Sequence, residues 1–194
     1  MQHANELTHE ECGHLARILT AARRVSLRHQ FFSWVHGPLQ ALIPHEILLC
    51  GVADEGGLLL HERFTACRYF KDDHFQRVIH PGSGLIQQLS QEWQLRSEPH
   101  LIAALPNETG GWHARLADLE LKNIAFHAMG WLSGQLKGYA SFSRVRAPFD
   151  ERLAMMIDIL LPHLLATLAR VLANEARADG DSKRPNGLIT AREV

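Results

Sequence analysis

The feature that most constrains this chain is a glycine-free stretch, residues 147–178, with helical apolar periodicity on two sides. At about 100° per residue, large aliphatic side chains form one broad stripe: Leu153, Ile157, Leu160, Leu161, Leu164, Leu168 and Val171. The opposite side carries small or apolar residues: Met155, Ile159, Pro162, Ala166, Ala169 and Ala173. A helix that is apolar on both sides must be covered on both sides. We expect the first stripe to pack on the domain's own sheet and the second on another copy of the chain; the alternative is a helix buried within one large core.

The residues after this helix change character twice. Residues 175–187 are polar, charged and broken by two glycines and a proline, which predicts a linker. Thr190 and Glu193 then have the spacing of a capping box, and Ile189 and Val194 that of a hydrophobic staple. This is a helix start with no helix behind it, and a single turn does not offset the cost of nucleation. We therefore expect a fragment truncated at the beginning of another domain.

Several segments resemble one regulator family. Residues 188–194 (LITAREV) resemble the opening of the LuxR-type helix-turn-helix domain. Residues 142–144, 149–152 and 160–164 resemble the end of the sensory domain in LuxR-family regulators. Residues 32–50 are similar to the EpsA-type branch, whose members are associated with exopolysaccharide gene clusters. The likeness covers most of residues 25–194.

The resemblance implies a GAF/PAS-like sensory fold, a homodimer, and DNA binding by a missing C-terminal domain. It divides the chain into an N-terminal helical extension (1–24), a GAF-like regulatory domain (25–178), and a linker with the first turn of a truncated helix-turn-helix domain (179–194). LuxR-type sensors of acyl-homoserine lactones carry a Trp-x-x-x-Tyr motif followed by an Asp. Thr65 lies four residues before Tyr69, and Ser97 four residues after Trp93, so that motif is missing here.

Composition limits the partners of these residues. The formal net charge is −1, without the basic excess typical of a surface that grips a phosphate backbone. The three cysteines, Cys12, Cys50 and Cys67, are far apart and odd in number, which favours free thiols in a reducing compartment. The N-terminus is polar and acidic, and no apolar run approaches 18 residues. We expect a cytoplasmic protein without a membrane partner.

The order of local patterns predicts an α+β fold. Thr8 and Glu11 form a capping box for a first helix ending near Ala22, and Ser26 is placed to cap a second. Strands are predicted over 46–53, 58–68, 99–105, 123–131 and 138–146, and further helices start at 85 and 112, with a loop or helix turn at 71–73. Closely spaced strands pair mainly antiparallel. The expected architecture is a GAF/PAS-like layered sandwich, a five-stranded, mainly antiparallel sheet flanked by helices, with a long C-terminal helix.

No arrangement of residues assembles a catalytic or metal site. Thirteen histidines are present, but His9 and His14 are five residues apart and so point about 140° away from each other on a helix. Residues 81–84 (PGSG) lack the lysine of a phosphate-binding loop, and Ser83 is better explained as a helix cap. We expect no metal, no cofactor and no enzyme activity. A small metal-dependent enzyme ranks third among the hypotheses.

A small-molecule pocket is expected between the sheet and residues 69–120. Five aromatic or amphipathic side chains are candidates to line it: Tyr69, Phe70, Trp93, His127 and Trp131. The alternative is that these residues are ordinary core. The leading hypothesis is the N-terminal regulatory domain of a LuxR-type DNA-binding regulator that dimerises through its terminal helix. The alternative is a stand-alone GAF-like protein that binds a small molecule.

Overall fold

The structure is a computed structural model that describes residues 7–103, 112–130 and 136–182. The helices are α1 (His9–Ala22), α2 (Arg28–Val35), a short 3-10 helix (Pro38–Ala41), α3 (Asp72–Ile79), α4 (Leu85–Arg96), α5 (Trp112–Asp118) and α6 (Glu151–Ser182). The strands are β1 (Ile47–Ala53), β2 (Leu59–Thr65), β3 (His100–Ile102), β4 (Ile124–Gly130) and β5 (Leu136–Ser143). The predicted α+β class, with five strands and a long C-terminal helix, is confirmed.

The described strands form one antiparallel sheet in the order β2-β1-β5-β4-β3. Strand β1 pairs with β2 on one side and with β5 on the other, and its Cys50 lies opposite Glu62 of β2 and Ala140 of β5. All of β1 except Ala53 is buried. Because both faces of this strand are covered, its sequence is a continuous apolar run and does not alternate with polar residues.

Helices α1, α2 and α6 cover one side of the sheet, which we name the α6 face. Its core joins Ile18 of α1, Phe31 and Trp34 of α2, Phe142 of β5 and Leu164 of α6. Alternate residues along each strand supply the two faces, so neighbours of these strand residues belong to the other side. Helices α3, α4 and α5 cover that other side, the α4 face, over a separate core.

The predicted aliphatic stripe of α6 packs on the domain's own sheet, as expected. All seven of its side chains are at most 3% exposed. Burying one such side chain stabilises a fold by about 1.5–3 kcal/mol. The helix also continues to Ser182, through the first half of the segment predicted as a linker. Polarity alone did not distinguish a linker from the solvated end of a helix, because both are rich in charged residues.

The stretch Glu151–Ala178 is long and apolar enough to span a membrane by length and composition. Half of the residues in its most apolar window are buried inside the domain. A helix that packs on a sheet needs the same composition as a membrane span, so the apolarity of α6 is explained by the α6 face.

Two predicted helix starts can be compared with the structure. The Thr8 capping box is confirmed: the Thr8 N–H donates to Glu11 Oε2 at 2.8 Å, and the Glu11 N–H donates to Thr8 Oγ1 at 3.3 Å. The prediction of Ser26 as the cap of α2 is wrong, because the cap position is Leu27. The amide oxygen of Gln30 accepts the backbone N–H groups of both Ser26 and Leu27, at 2.9 and 3.2 Å.

The segment before α4 also departs from prediction. Residues 71–73 open a full helix, α3, instead of a loop or single turn. Ser83 is not the cap of α4, since Gly84 holds that position without a side-chain bond. The Ser83 hydroxyl lies 2.8 Å from His80 Nδ1 instead. The Ser83 hydroxyl therefore pairs with a neighbouring imidazole and does not form the helix cap that the local pattern predicted.

Candidate functional site

A cavity of about 400 Å³ opens on the α4 face, between α4, the end of α3 and the hairpin that joins β1 to β2. We name it the α4 cleft. Its apolar wall consists of Leu58, Leu59, Ile79, Pro81, Ile86 and Leu136. Its polar wall consists of His61, Gln87, Ser90, Gln91 and Gln94, and Gly57 completes the lining. The cleft thus combines an apolar wall with hydrogen-bonding groups from α4 and β2, which is the usual composition of a small-molecule site.

A buried tyrosine positions the histidine of the cleft. Tyr139 of β5 is fully buried, and its hydroxyl lies 2.8 Å from His61 Nδ1 of β2. The tyrosine ring crosses β1 at Gly51, where an added Cβ would lie 2.6 Å from Tyr139 Cε1. Gly51 is therefore required by the close approach of this ring. This hydrogen bond joins β2 and β5 across β1, which lies between them in the sheet.

Both partners of this hydrogen bond are uncharged at neutral pH. Burial raises the pKa of Tyr139 well above its usual value, so the phenol keeps its proton. Burial lowers the pKa of His61, so the imidazole stays neutral. Because the pair is neutral, it needs no counter-charge in the cleft. His61 therefore contributes a hydrogen-bonding group to the cleft but no charge.

Apart from His61 of β2, the polar wall of the cleft is formed by one stripe of α4. Gln87, Ser90, Gln91 and Gln94 recur at helical spacing on the side of α4 that faces the cleft. The Ser90 hydroxyl is buried and has no hydrogen-bond partner among the described residues. A buried unpaired hydroxyl is costly unless a ligand or water bonds it. No Asp, Glu, Lys or Arg is among the residues that line the cleft in the described part of the chain.

Sequence reasoning missed these cleft residues for a physical reason. A polar stripe on an amphipathic helix is more often the side that faces water. The available signal was the absence of charge: this stripe holds three amides and a hydroxyl, where a solvated helix face normally carries Lys and Glu. His61 carried no local signal, because its partner Tyr139 is 78 residues away.

The structure separates the residues predicted to line a pocket. Tyr69 is 67% exposed in the connection between β2 and α3, whereas Phe70 is buried in the core of the α4 face. Trp93 of α4 and His127 of β4 contact each other away from the cleft lining. Trp131 lies outside the described residues. A ligand contact for these five side chains stays a prediction.

His127 joins two helices on opposite faces of the sheet. Trp93 Nε1 donates to His127 Nδ1 at 3.1 Å, and His127 Nε2 lies 3.0 Å from Asp158 Oδ1 of α6. His127 is only 5% exposed, whereas the Asp158 side chain is 69% exposed. Burial lowers the pKa of His127, and the hydrogen bond to Asp158 opposes that shift.

The side of α6 predicted to contact a second copy is open in this chain. Met155 and Ile159 are half-buried. Four further residues of this stripe are exposed: Pro162, Ala166, Ala169 and Ala173. Small side chains at helical spacing permit close approach of another helix. A dimer contact at this stripe stays a prediction, because it depends on a second chain.

The described histidines and cysteines do not converge on an ion site. No group of three His, Cys, Asp or Glu side chains is placed to bind a metal within the described ranges. Cys50 is fully buried, and burial raises the pKa of its thiol well above the usual value. Such a thiol stays protonated and is a poor nucleophile.

Comparison with known proteins identifies the fold. No protein-family model matches the chain, and no curated protein matches its sequence. A solved structure of the N-acylhomoserine lactone-dependent LuxR-family transcription factor CepR2 from Burkholderia cenocepacia has a TM-score of 0.54 to this chain. The two are 15% identical, and the match covers 85% of this chain and 98% of CepR2.

Two further solved structures share the architecture. The GAF domain of a phosphoenolpyruvate-protein phosphotransferase from Acinetobacter has a TM-score of 0.54 at 13% identity, over 90% of this chain and 99% of that one. A far-red-absorbing protein with bound biliverdin has a TM-score of 0.52 at 17% identity, over 81% and 98%. These identities show the fold alone. The chain has a GAF-like fold.

Proposed function

We propose that this chain is the regulatory domain of a LuxR-type transcription regulator of the EpsA-like branch, acting on exopolysaccharide genes. The order of its parts carries the proposal. A GAF-like domain ends in a long helix, α6, and a run that resembles the start of a LuxR-type helix-turn-helix follows at Leu188. The helix-turn-helix unit binds DNA, and the described domain regulates that binding; both lie in the cytoplasm.

The ligand of this domain is a small uncharged molecule bound in the α4 cleft. Amides and a hydroxyl on α4 offer both donors and acceptors, and the opposite wall is aliphatic. The described lining offers no counter-charge to the part of an ionised ligand that would leave water in the cleft. The protein acts as a binding module, not as an enzyme.

The output of the domain is a dimer formed through α6. Dimeric helix-turn-helix proteins read two half-sites whose spacing follows the symmetry of the protein. The stripe from Met155 to Ala173, which is half-buried at its first two residues and exposed from Pro162 onward, gives two α6 helices a surface for close packing. A helix pair that leads directly to the DNA-reading units sets the distance between them.

Extending the coding sequence past Val194 tests the regulator assignment. We expect a helix-turn-helix pattern and binding of the extended protein to promoter DNA of exopolysaccharide genes, weakening steeply as salt rises. A stop codon at this position would contradict the proposal and favour a stand-alone GAF-like small-molecule-binding protein.

Sedimentation of the protein at micromolar concentration tests the dimer. We expect a dimer that Ala166→Glu converts to a monomer, because a charge at a close helix contact is desolvated without a partner. Ala117→Glu, at an exposed position of α5 on the other face, is the matched control and should leave the dimer intact. A strict monomer before any substitution would overturn this part of the proposal.

Paired probes test the ligand class. Octanamide and octanoate have the same chain and differ in the charge of the head group. We expect calorimetry to detect weak binding of the amide and none of the carboxylate. Gln91→Glu should abolish binding of the amide, whereas Gln76→Glu, on α3 outside the cleft lining, should preserve it. Equal or tighter binding of octanoate would contradict an uncharged ligand.

A further inference from the structure

Three side chains connect α4 to α6 across the sheet. Trp93 comes from α4, His127 from β4 and Asp158 from α6, and they form two consecutive hydrogen bonds of 3.1 and 3.0 Å. The neighbours of His127 along β4, Phe126 and Ala128, belong to the core of the α4 face. His127 therefore points to the α6 face, where it reaches Asp158.

Trp93 reaches His127 around the edge of the sheet. Strand β3 pairs with β4 only at Ile124, Ala125 and Phe126 among the described residues. His100 is the first residue of β3 and lies opposite Phe126, so the pairing stops immediately before His127. The short edge strand leaves the passage through which an α4 side chain contacts a residue on the other face.

The two hydrogen bonds that link Trp93, His127 and Asp158 have the same donor-to-acceptor direction. An indole N–H can only donate, so His127 Nδ1 is the acceptor and its proton resides on Nε2. Nε2 then donates to the Asp158 carboxylate. Bonds aligned in one direction polarise one another, and rotation of the imidazole breaks both together.

The two hydrogen bonds of the Trp93–His127–Asp158 chain differ in their exposure to water. His127 is 5% exposed, so its bond to Trp93 is shielded from water. The Asp158 side chain is 69% exposed, so water can replace its bond to His127 without leaving a charge buried. A link with one shielded end and one solvated end can open without disrupting the core.

We propose that the Trp93–His127–Asp158 chain couples occupancy of the α4 cleft to the position of α6. The inference rests on the proposed sensing function. Trp93 follows the cleft residue Ser90 by three positions on the same helix, so a shift of α4 moves both. Asp158 precedes Ile159 of the proposed dimer stripe, so the far end of the chain lies beside the output surface.

Amide hydrogen exchange tests the coupling without any ligand. Ser90→Leu fills the cleft at its unpaired hydroxyl. We expect this substitution to change the exchange rates of the α6 amides near Asp158 by about fivefold, and those of α4 as well. In a Trp93→Phe background the α4 response should persist, whereas the α6 response should fall below twofold. An α6 response of equal size in both backgrounds, or none in either, would overturn the proposal.

Substitutions of the central and outer residues separate coupling from simple packing. His127→Gln keeps an acceptor for Trp93 and a donor for Asp158, so it should preserve most of the α6 response. His127→Leu should abolish it. Asp158→Asn keeps an acceptor and should respond, whereas Asp158→Ala should not. Leu95→Ala, an 86% exposed position of α4, is the control that should match the unsubstituted protein.

A second measurement covers the case in which Ser90→Leu does not fold. Trp93→Phe and Asp158→Ala are compared singly and together in the natural cleft. If the chain acts as a unit, the double variant should change α6 exchange no more than the larger single variant. Additive effects would overturn the proposal. Because these experiments need no ligand, a failure of all candidate ligands to bind would affect only the proposed function.

Discussion

The two faces of the sheet use their helices differently. On the α6 face one long helix packs over the sheet, and three guanidinium groups tie it down. Arg28 contacts Glu62 and Glu175, Arg152 pairs with Glu11, and Arg170 donates to the carbonyl oxygens of Val25 and Ala22. On the α4 face three shorter helices leave a cleft, whose polar wall contains an unpaired buried hydroxyl.

The α6 face therefore contributes mainly to the stability of the fold, and the α4 face mainly to ligand binding. A continuous apolar contact stabilises the fold most, even though the buried Nε2 atoms of His36 and His45 on this face have no hydrogen-bond partner among the described residues. A cleft with unpaired groups forgoes part of that stabilisation and gains a surface for a ligand. We expect substitutions on the α6 face to act mainly on unfolding, and those in the cleft mainly on binding.

The largest effect is expected for Leu164→Ala. Leu164 of α6 is fully buried, and the cavity left by truncation should lower the free energy of unfolding by about 3–5 kcal/mol. Leu119→Ala, at a 6% exposed residue of the α4 face, should cost about 2 kcal/mol. Urea unfolding measures both, and Leu95→Ala is the exposed control. An equal cost at Leu119 would remove the contrast between the faces.

Acid sensitivity should be concentrated on the α6 face at His45. Burial lowers the pKa of His45 to about 4, and its ring packs edge-on against Phe142. Because the folded pKa lies below the usual 6.5, the unfolded chain takes up the proton first as the pH falls. The associated stability is complete above about pH 6.5 and is lost between there and about pH 4, by roughly 3 kcal/mol in total.

Urea unfolding at pH 7.5 and pH 4.5 checks this expectation. His45→Leu should be less sensitive to acid than the unsubstituted protein by about 2 kcal/mol or more. The pKa of His61, on the α4 face, is lowered by the same cause. If His61→Leu removed more of the acid sensitivity than His45→Leu, the assignment to the α6 face would be wrong.

A smaller loss is expected for Gly51→Ala, at the contact between the strand and Tyr139. The added methyl group would meet the Tyr139 ring, and the displaced ring would lose its bond to His61. Overpacking of this kind costs about 1–3 kcal/mol. Gly56→Ala, in the exposed hairpin turn, is the matched control with a change of a few tenths of a kcal/mol. Thermal unfolding distinguishes them, and equal effects would show that the ring moves freely.

The smallest effect on stability is expected for Ser90→Ala. Removing a buried hydroxyl without a partner should leave the free energy of unfolding unchanged or raise it by up to about 1 kcal/mol. Binding of octanamide in the cleft should weaken at the same time. Ser83→Ala, whose hydroxyl contacts His80, serves as the comparison. A clear loss of stability at Ser90 would mean that its hydroxyl has a structural partner.

Local patterns predicted most elements but not their long-range partners. The Thr8–Glu11 box was found correctly because its two residues are three apart and sufficient by themselves. Ser26 was misplaced because a third residue, Gln30, competes for the same N–H groups. The aliphatic stripe of α6 was found because helical periodicity repeats over many turns. The cleft was missed because its polar stripe resembles a solvated helix face.

The amino-acid sequence by itself determined most of the elements, the α+β class and which side of α6 enters the core. These depend on periodicity, caps and turns that act over a few residues. Only the tertiary structure decided the strand order β2-β1-β5-β4-β3, the α4 cleft, and the pairing of His61 with Tyr139 and of Trp93 with Asp158 through His127. These contacts join residues 31–78 positions apart. Their geometry follows from how the sheet brings its strands together, and no local pattern encodes that.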